Sequence, residues 1–578
     1  MYKYLSLILI FLSANIFAST IEIPKENYRI DKDKRLIVCN ADLNKLVFDN
    51  QSIIIKIDGQ DYKVLDNIKV LKKGLRYTIG VDQGYVRYSI YFTELPLLFI
   101  DTNSEIADTP KVLSKISLVE INGNILGSNA GIEYRGATSQ NYPKKSLEIE
   151  FWKDEKGDDT QDLSLLGMRE DKDWNLQAMY IEPLKISSST AWEIWNSMSS
   201  LYYKNLEPKA KAGINMKYVE VFINNSYQGI YAVSEKMDRK QLKLKKNTDT
   251  EVRGELYKSF TYSENTNYDG VSDYDNESKI WGGYESVYPK DLRNWNDFYN
   301  IHYFVYYADN ELFYSTYREM FDSGNLVDYF IFINTVRAVD NMGKNAYTAR
   351  YDKGEKYFLV PWDLDGVFGR DWSAMPDDVT DDLKMTRLFQ RLWEDTGNEG
   401  FRYDLNKRWL ELRSSTISVD KIMQILIDNF NYLKDNGAYE RDQIANSGST
   451  ISSEYEEFAY IREWLTKRIA FLDRSFAFNV VVPPPPVEEE TIDKKSYKFQ
   501  FYPNPAKNYI YFINKSGTAE SSLLDIDIYT IAGRKVRSIS QNPITQSFFI
   551  GNIPNGNYIM NIKSDSGIKQ NFKLIIDK

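Results

Sequence analysis

The run VVPPPPVEEE at 481–490 constrains the chain more than any other segment. Consecutive prolines fix φ and remove amide donors, so the run can neither continue a helix nor sit inside a sheet. It reads as a stiff spacer, and the acids after it as a solvated linker over 479–495. At 578 residues the chain exceeds what one hydrophobic core organises, so two to four domains are expected. Beyond the spacer, 496–578 reads as six or seven short strands joined by Asn-Gly and Ala-Gly turns, a small β-sandwich.

At the other end, MYKYLSLILIFLSANIFA (1–18) has Lys3, an apolar stretch from Leu5 to Leu12, and Ala18 before a polar chain. This is the pattern of a secretory signal peptide, which implies export. The apolar stretch is too short to span a bilayer and no later segment approaches the needed length, so no integral membrane protein is expected. Residues 19–95 carry SIIIKI, YKVL, LRYTI and YVRYSIYF between glycine-containing turns and read as a small β domain. The chain holds one Cys (Cys39) and one His (His302). A zinc site is therefore not expected, nor a Ser-His-Asp or Cys-His nucleophile, and His302 within NIHYFVYY reads as a packing residue. A formal net charge of −10 without a basic patch argues against nucleic acid as a partner. The 43 tyrosines suit many exposed strands or a polymer- or protein-binding surface without selecting either.

The chemistry is expected in Val336–Gly369. Asp340 is followed five residues later by Asn345, then an alternating segment Ala346–Arg350, a turn at Asp352–Gly354, and a strand-like run ending in Pro361, Trp362, Asp363, Leu364, Asp365, Gly366. A hairpin would bring Asn345 and Asp363 to one end, with Asp340 facing the same pocket. Clustered carboxylates and a carboxamide repel unless a cation lies among them, and an all-oxygen set suits Mg²⁺. Asp-x4-Asn is also the spacing of a protein kinase catalytic loop. The same residues equally suit an ordinary turn after a strand. Upstream, RGATSQNYPKKS concentrates Arg135, Lys144 and Lys145 in a strand–loop–strand able to grip phosphate, or to form a solvated hairpin. Glu235 and Lys236 close a strand pair, free to face solvent or to pair with that loop. Residues 245–285 read as a long irregular loop. Helical periodicity over 184–201, 295–308, 326–339, 383–395, 401–413, 418–434 and 454–476 predicts an α+β chain, with a helical lobe behind a mixed β lobe.

Taken in order, RGATSQNYPKKSLEI, SLLGMREDKDWNLQA, YVEVFINNSYQGIYAVSEK, AVDNMGKNAY and FLVPWDLDGVFG resemble the blocks of the CotH spore-coat kinase family, over roughly residues 95–475. The resemblance implies a kinase-like two-lobed domain over 96–478, using ATP and Mg²⁺ or Mn²⁺ to phosphorylate Ser or Thr of a protein substrate. It implies Asp340 as catalytic aspartate, Asn345, Asp363 and Asp365 as metal-side residues, Lys145 or Lys144 as the phosphate lysine, and Glu235 as the acid of the GxYxxxEK block. Arg135 joins the nucleotide-binding set. Strand alternation leads us to expect Lys145 on the phosphates and Lys144 in solvent. Two departures from the family pattern stand out: WDLD where many relatives have WDFN or WDYD, and Val339 where a basic residue is usual beside the catalytic Asp. The alternative expectation is an inactive kinase-fold protein with a structural or adhesive role at the cell surface. The tail, with YPNP, DIYTIAGRKV and IPNGNYIMNI, resembles the C-terminal sorting domain of the type IX secretion system of Bacteroidetes. That implies passage through the periplasm to the surface or medium, with the secretion machinery as a partner; a carbohydrate-binding module is the other reading of such a sandwich.

Overall fold

Alternation in Ile53–Ile57, with Ile53, Ile55 and Ile57 buried and Ile54 and Lys56 half-exposed, marks one inward face of the first sheet in the computed structural model. The structure describes residues 19–45, 53–81, 84–449, 453–478, 499–502, 504–514, 524–530, 534–541, 547–564 and 569–578. The expected signal peptide (1–18) and the linker (479–495) lie outside the described residues. The first sheet has seven strands, from Ser19–Glu22 to Val86–Phe92, around its own core of Ile37, Ile55, Ile79 and Ile90. The next strand, Leu97–Asp101, already belongs to a closed seven-stranded barrel. Its order is Ile125–Arg135, Ser146–Trp152, Asp173–Gln177, Ser226–Ser234, Met216–Ile223, Leu97–Asp101, Val112–Val119. Closure leaves no unpaired edge, and Ile132, Ile149, Trp174, Leu176, Val221 and Val233 fill the interior.

A short helix, Ala438–Ala445, packs on the barrel strand Ser226–Ser234 and carries two charges into full burial. Arg441 pairs with Glu220, and Asp442 with Lys144 (3.1 Å) and Lys185 (3.5 Å). Each charge is matched by an opposite one, the condition under which such burial is tolerated.

Residues 245–285, expected as an irregular loop, instead supply strands. Glu255–Ser259, Ile280–Trp281 and Tyr284–Tyr288 join Ala346–Arg350 and Tyr357–Pro361 in a five-stranded sheet. These strands are short and carry Lys258 and Glu285 on a polar face, so their period-2 signal is weak in the sequence. Behind the sheet lie the helices, with Ser323–Val336 at the centre; nearly every residue of it is buried. Asp322 caps it, its carboxylate accepting from the Gly324 and Asn325 amides. Helices 310–320 and 438–445 were not anticipated, the second because its inward residues are charged. The architecture is mixed α+β, with β sheets preceding the helices.

His302 is a packing residue. It is buried, stacked on Tyr268 at 4.4 Å, its Nδ1–H donating to the Phe298 carbonyl (2.8 Å) and its Nε2 accepting from Tyr284 Oη (3.2 Å). Burial pushes its pKa down to about 3. The unfolded chain binds a proton near pH 6.5 and the native state refuses it until about 3, so native stability falls as pH drops through that window, by on the order of 5 kcal/mol in total. As the chain's single histidine, its ring resonances are expected to stay those of the neutral Nδ1–H tautomer down to at least pH 4.5. A titration midpoint near 6.5 would contradict this.

The described residues before position 481 and those after it form two compact units. The second comprises a three-stranded and a four-stranded sheet sharing one core that includes Ile510, Phe548, Ile526, Met560 and Leu574.

Candidate functional site

The central helix ends at Arg337, whose left-handed backbone (φ 48°) turns the chain, and whose guanidinium is locked by Asp377 (2.6 Å) and Asp382 (2.8 Å). The segment after it is stitched to the segment after the hairpin: Phe368 N–H donates to Val336 O (2.9 Å), and Val339 N–H to Gly366 O (3.3 Å). Asp340 is thereby held beside Asp365–Gly366. Its carboxylate accepts from Tyr262 Oη (3.1 Å) and from Lys344 Nζ (3.0 Å).

The hairpin forms in the register Ala346↔Pro361 to Arg350↔Tyr357, with Trp362 N–H donating to Asn345 O (3.0 Å). Asn345 and Asp363 therefore do lie at one end, as their spacing suggested. Both take left-handed backbone, φ 50° and 57°, which Asn and Asp tolerate better than other non-glycine residues. Buried Asn341 clamps this end, its Nδ2 donating to Asn345 O (2.8 Å) and Trp362 O (2.5 Å).

Asp363 is exposed and Asp365 half-buried, and neither has an ion pair with another described residue. The Asp365 carboxyl is held well above the ordinary carboxylate range, first by enclosure and then by repulsion from Asp363, Glu182 and Asp340. Glu182 is buried, accepting from the Ser187 (3.1 Å) and Ser188 (3.3 Å) amides at the start of helix Ser187–Met198. Among the described residues no group of three or more His, Cys, Asp or Glu is arranged as a ready-made metal cage.

Next to the acids is a cleft of about 950 Å³ between the outer face of the barrel and the five-stranded sheet. Arg135, Glu148 and Asn175 line the barrel side, Lys258, Tyr347 and Trp362 the sheet side.

This acid cluster is embedded in a sequence that the profile described as CotH kinase protein matches over residues 132–472, more than half of the chain. The chain belongs to the CotH kinase family. A second profile, the secretion system C-terminal sorting domain, matches residues 500–577, whose described residues form the three-stranded and four-stranded sheets of the terminal unit. The CotH chain thus carries a type IX sorting domain, the mark of a secreted or cell-surface protein. No curated protein matches it. No helix among the described residues is long and apolar enough to cross a membrane.

Within the CotH domain the two lysines of the PKK segment reverse the expected register. Lys144 does not face solvent: its side chain is fully buried, Nζ donating to the Ile230 carbonyl and to Asp442 Oδ1, with burial pulling its pKa down to about 8. Both lysines precede the strand Ser146–Trp152, where strand alternation does not apply, and Asp442, 298 positions from Lys144, decides which of them points in. Lys145 is partly exposed, and its Nζ donates to the loop carbonyls of Tyr142 (2.7 Å) and Gln140. Glu235 is buried rather than paired with the RGATSQNYPKKS loop. It accepts from Asn215 N (2.9 Å), Gln241 Nε2 (3.0 Å) and Arg169 N (3.2 Å). Its neighbour Lys236 reaches Glu148 (2.7 Å) on the strand that follows the loop. Arg135 donates to Gln177 Oε1 (2.7 Å) and lines the cleft. Sequence reasoning missed Glu182 and Lys258, each on a segment without a recognisable motif, and Asn341, which lies within the AVDNMGKNAY block beside Asp340.

Proposed function

We propose that this CotH chain is a secreted protein kinase that transfers the γ-phosphate of ATP, with Mg²⁺ or Mn²⁺, to Ser or Thr hydroxyls of a protein substrate. The observation that carries the reading is that Asp340 and Asp363 lie near enough to Asp365 to repel its carboxylate, while Trp362, the neighbour of Asp363, lines a cleft whose walls carry Arg135 and Lys258. Phosphoryl transfer asks for this pairing of a carboxylate site with fixed cations near the phosphates.

The donor set fits the cation. Asp363, Asp365 and Asn345 offer only oxygen, and Mg²⁺ in phosphoryl-transfer sites takes one or two carboxylates with phosphate oxygens and waters, so no three-carboxylate cage is required. A bound divalent ion would neutralise the triphosphate and relieve the repulsion that Asp363 and Asp340 exert on Asp365. Asp340, anchored by Tyr262 and Lys344, is placed to orient the acceptor hydroxyl and take its proton. As the hydroxyl oxygen bonds to the γ-phosphorus, the bond to the β-phosphate oxygen breaks and ADP leaves. Lys344, four residues on, provides positive charge beside Asp340 where Val339 does not. The two-lobed arrangement implied by the resemblance corresponds, in this reading, to the barrel on one side of the cleft and the sheet with its helices on the other.

Incubation of the purified chain with γ-labelled ATP and Mn²⁺ is expected to place label on Ser or Thr, of the chain itself or of a co-exported protein. Absence of label on every acceptor, with the protein folded, would favour the structural or adhesive alternative.

A further inference from the structure

We infer that Lys258 is the phosphate-binding lysine of the cleft, acting with Arg135 on the polyphosphate of a nucleoside triphosphate. This rests on the kinase reading and adds a residue to it.

Three observations lead there. First, the lysines of the PKK segment are occupied: Lys144 is sealed beneath Asp442, and Lys145 is spent on two loop carbonyls. Second, the register of the five-stranded sheet puts Lys258 on the cleft-facing side. It lies opposite Tyr347 on one neighbouring strand and Glu285 on the other, and all three line the cleft. Its Nζ stands 5.9 Å from the Trp362 ring centroid, one residue from Asp363, and its nearest charges are Asp363, Arg135 and Glu285. Third, the other cleft lysines are neutralised or peripheral. Lys236 pairs with Glu148 (2.7 Å), Lys172 with Glu150, and Lys240 with Asp171 (2.9 Å), while Lys290 is exposed at the rim. Lys258 is half-buried and has no carboxylate within 4 Å among the described residues. A half-buried ammonium with no ion pair to a described residue, near Asp363 and Glu285 but touching neither, is free to take an anionic ligand.

The opposite wall carries an independent sign of a ligand. Asn175 is 1 % exposed and lines the cleft, yet its Oδ1 accepts no hydrogen bond. Buried acceptors are almost always satisfied, so a hydroxyl or amino donor of the bound molecule is the partner it lacks. The volume, about 950 Å³, is ample for a nucleotide.

The test is calorimetric titration of the full chain with Mg²⁺·ATP for the wild type, Lys258→Gln, Lys145→Gln and Lys258→Arg. Losing a charge-assisted phosphate contact is expected to weaken binding roughly tenfold to a hundredfold in Lys258→Gln. Lys258→Arg is expected to stay within about threefold of wild type because the charge remains, as is Lys145→Gln, whose bonds are internal to the loop. Wild-type affinity in a folded Lys258→Gln would overturn the assignment and leave the kinase reading intact. If Lys258→Gln does not fold, Arg135→Gln is the second variant, with the same expected loss and the same contrary result. If the wild type binds no nucleotide, the kinase reading fails instead, and inorganic tripolyphosphate then decides for the lysine. Binding that is lost in Lys258→Gln upholds a polyphosphate site, and no binding by the wild type overturns it.

Discussion

Replacing Asp363 by Asn is expected to lower phosphoryl transfer by roughly 10²–10³-fold, the size of effect seen when one preorganised charge-stabilising group is removed, while leaving the melting temperature unchanged or slightly raised. The two halves have separate causes. Asp363 is exposed and makes no ion pair with a described residue, so the fold loses only its longer-range attraction to Lys258. It is also one of three carboxylates that repel Asp365, so neutralising it removes a repulsion from the native state. Asn is the appropriate replacement because position 363 sits at φ 57°, where Ala would add backbone strain of about 1–2 kcal/mol and confuse the readings. Activity down with stability held is the signature of a group kept for function at a cost to the fold. Equal labelling by wild type and Asp363→Asn would remove Asp363 from the site.

The largest expected effect on stability lies away from the chemistry. Asp442 is the counter-ion of two fully buried lysines, Lys144 at 3.1 Å and Lys185 at 3.5 Å, and it also accepts from the Ile230 amide (2.9 Å). The lysines hold its pKa below the ordinary value despite its burial. Asp442→Ala would leave both ammoniums facing each other without an anion, a change expected to cost about 3–5 kcal/mol or more. Asp442→Asn is expected to do nearly as much damage, since it keeps the volume and loses the charge. Urea unfolding measures this directly, with Glu463→Ala as control; that exposed pair with Lys467 (2.6 Å) is expected to leave the midpoint unmoved. A shift of the Asp442 midpoint no larger than the control would show that the buried pair does not hold the helix to the barrel.

The parts of the site that were legible in the sequence are those built from contiguous chain. Asp340, Asn345 and Asp363 are brought together by one helix end and one hairpin, and the alternation of Ala346–Arg350 with the Asp352–Gly354 turn specifies that hairpin locally. The terminal sandwich was legible for the same reason, its strands being joined by short turns of distinctive composition. What could not be read depends on distant partners. Which of Lys144 and Lys145 points inward is set by Asp442 across the barrel. Glu182 meets Asp365 only after helix Ser187–Met198 is docked. Lys258 reaches the cleft because its strand pairs with Ala346–Arg350, and five residues with a half-polar pattern gave no period strong enough to announce a strand. The segment 245–285 was therefore expected as loop, although it supplies the sheet on which the site is built.

Metal-linked nucleotide binding is the most direct test of the kinase reading. Titration of the full chain with ATP is to be followed by calorimetry and by thermal unfolding, with Mg²⁺ present and again with EDTA. With Mg²⁺, saturable binding is expected at a dissociation constant on the order of 10 μM. At 1 mM nucleotide that would stabilise the fold by about 2.7 kcal/mol. Without the metal, binding is expected to weaken at least tenfold, because Asp363 and Asp365 would then face the phosphates uncompensated. No heat and no thermal shift at millimolar nucleotide with Mg²⁺ or Mn²⁺, from a folded chain, would contradict the kinase reading.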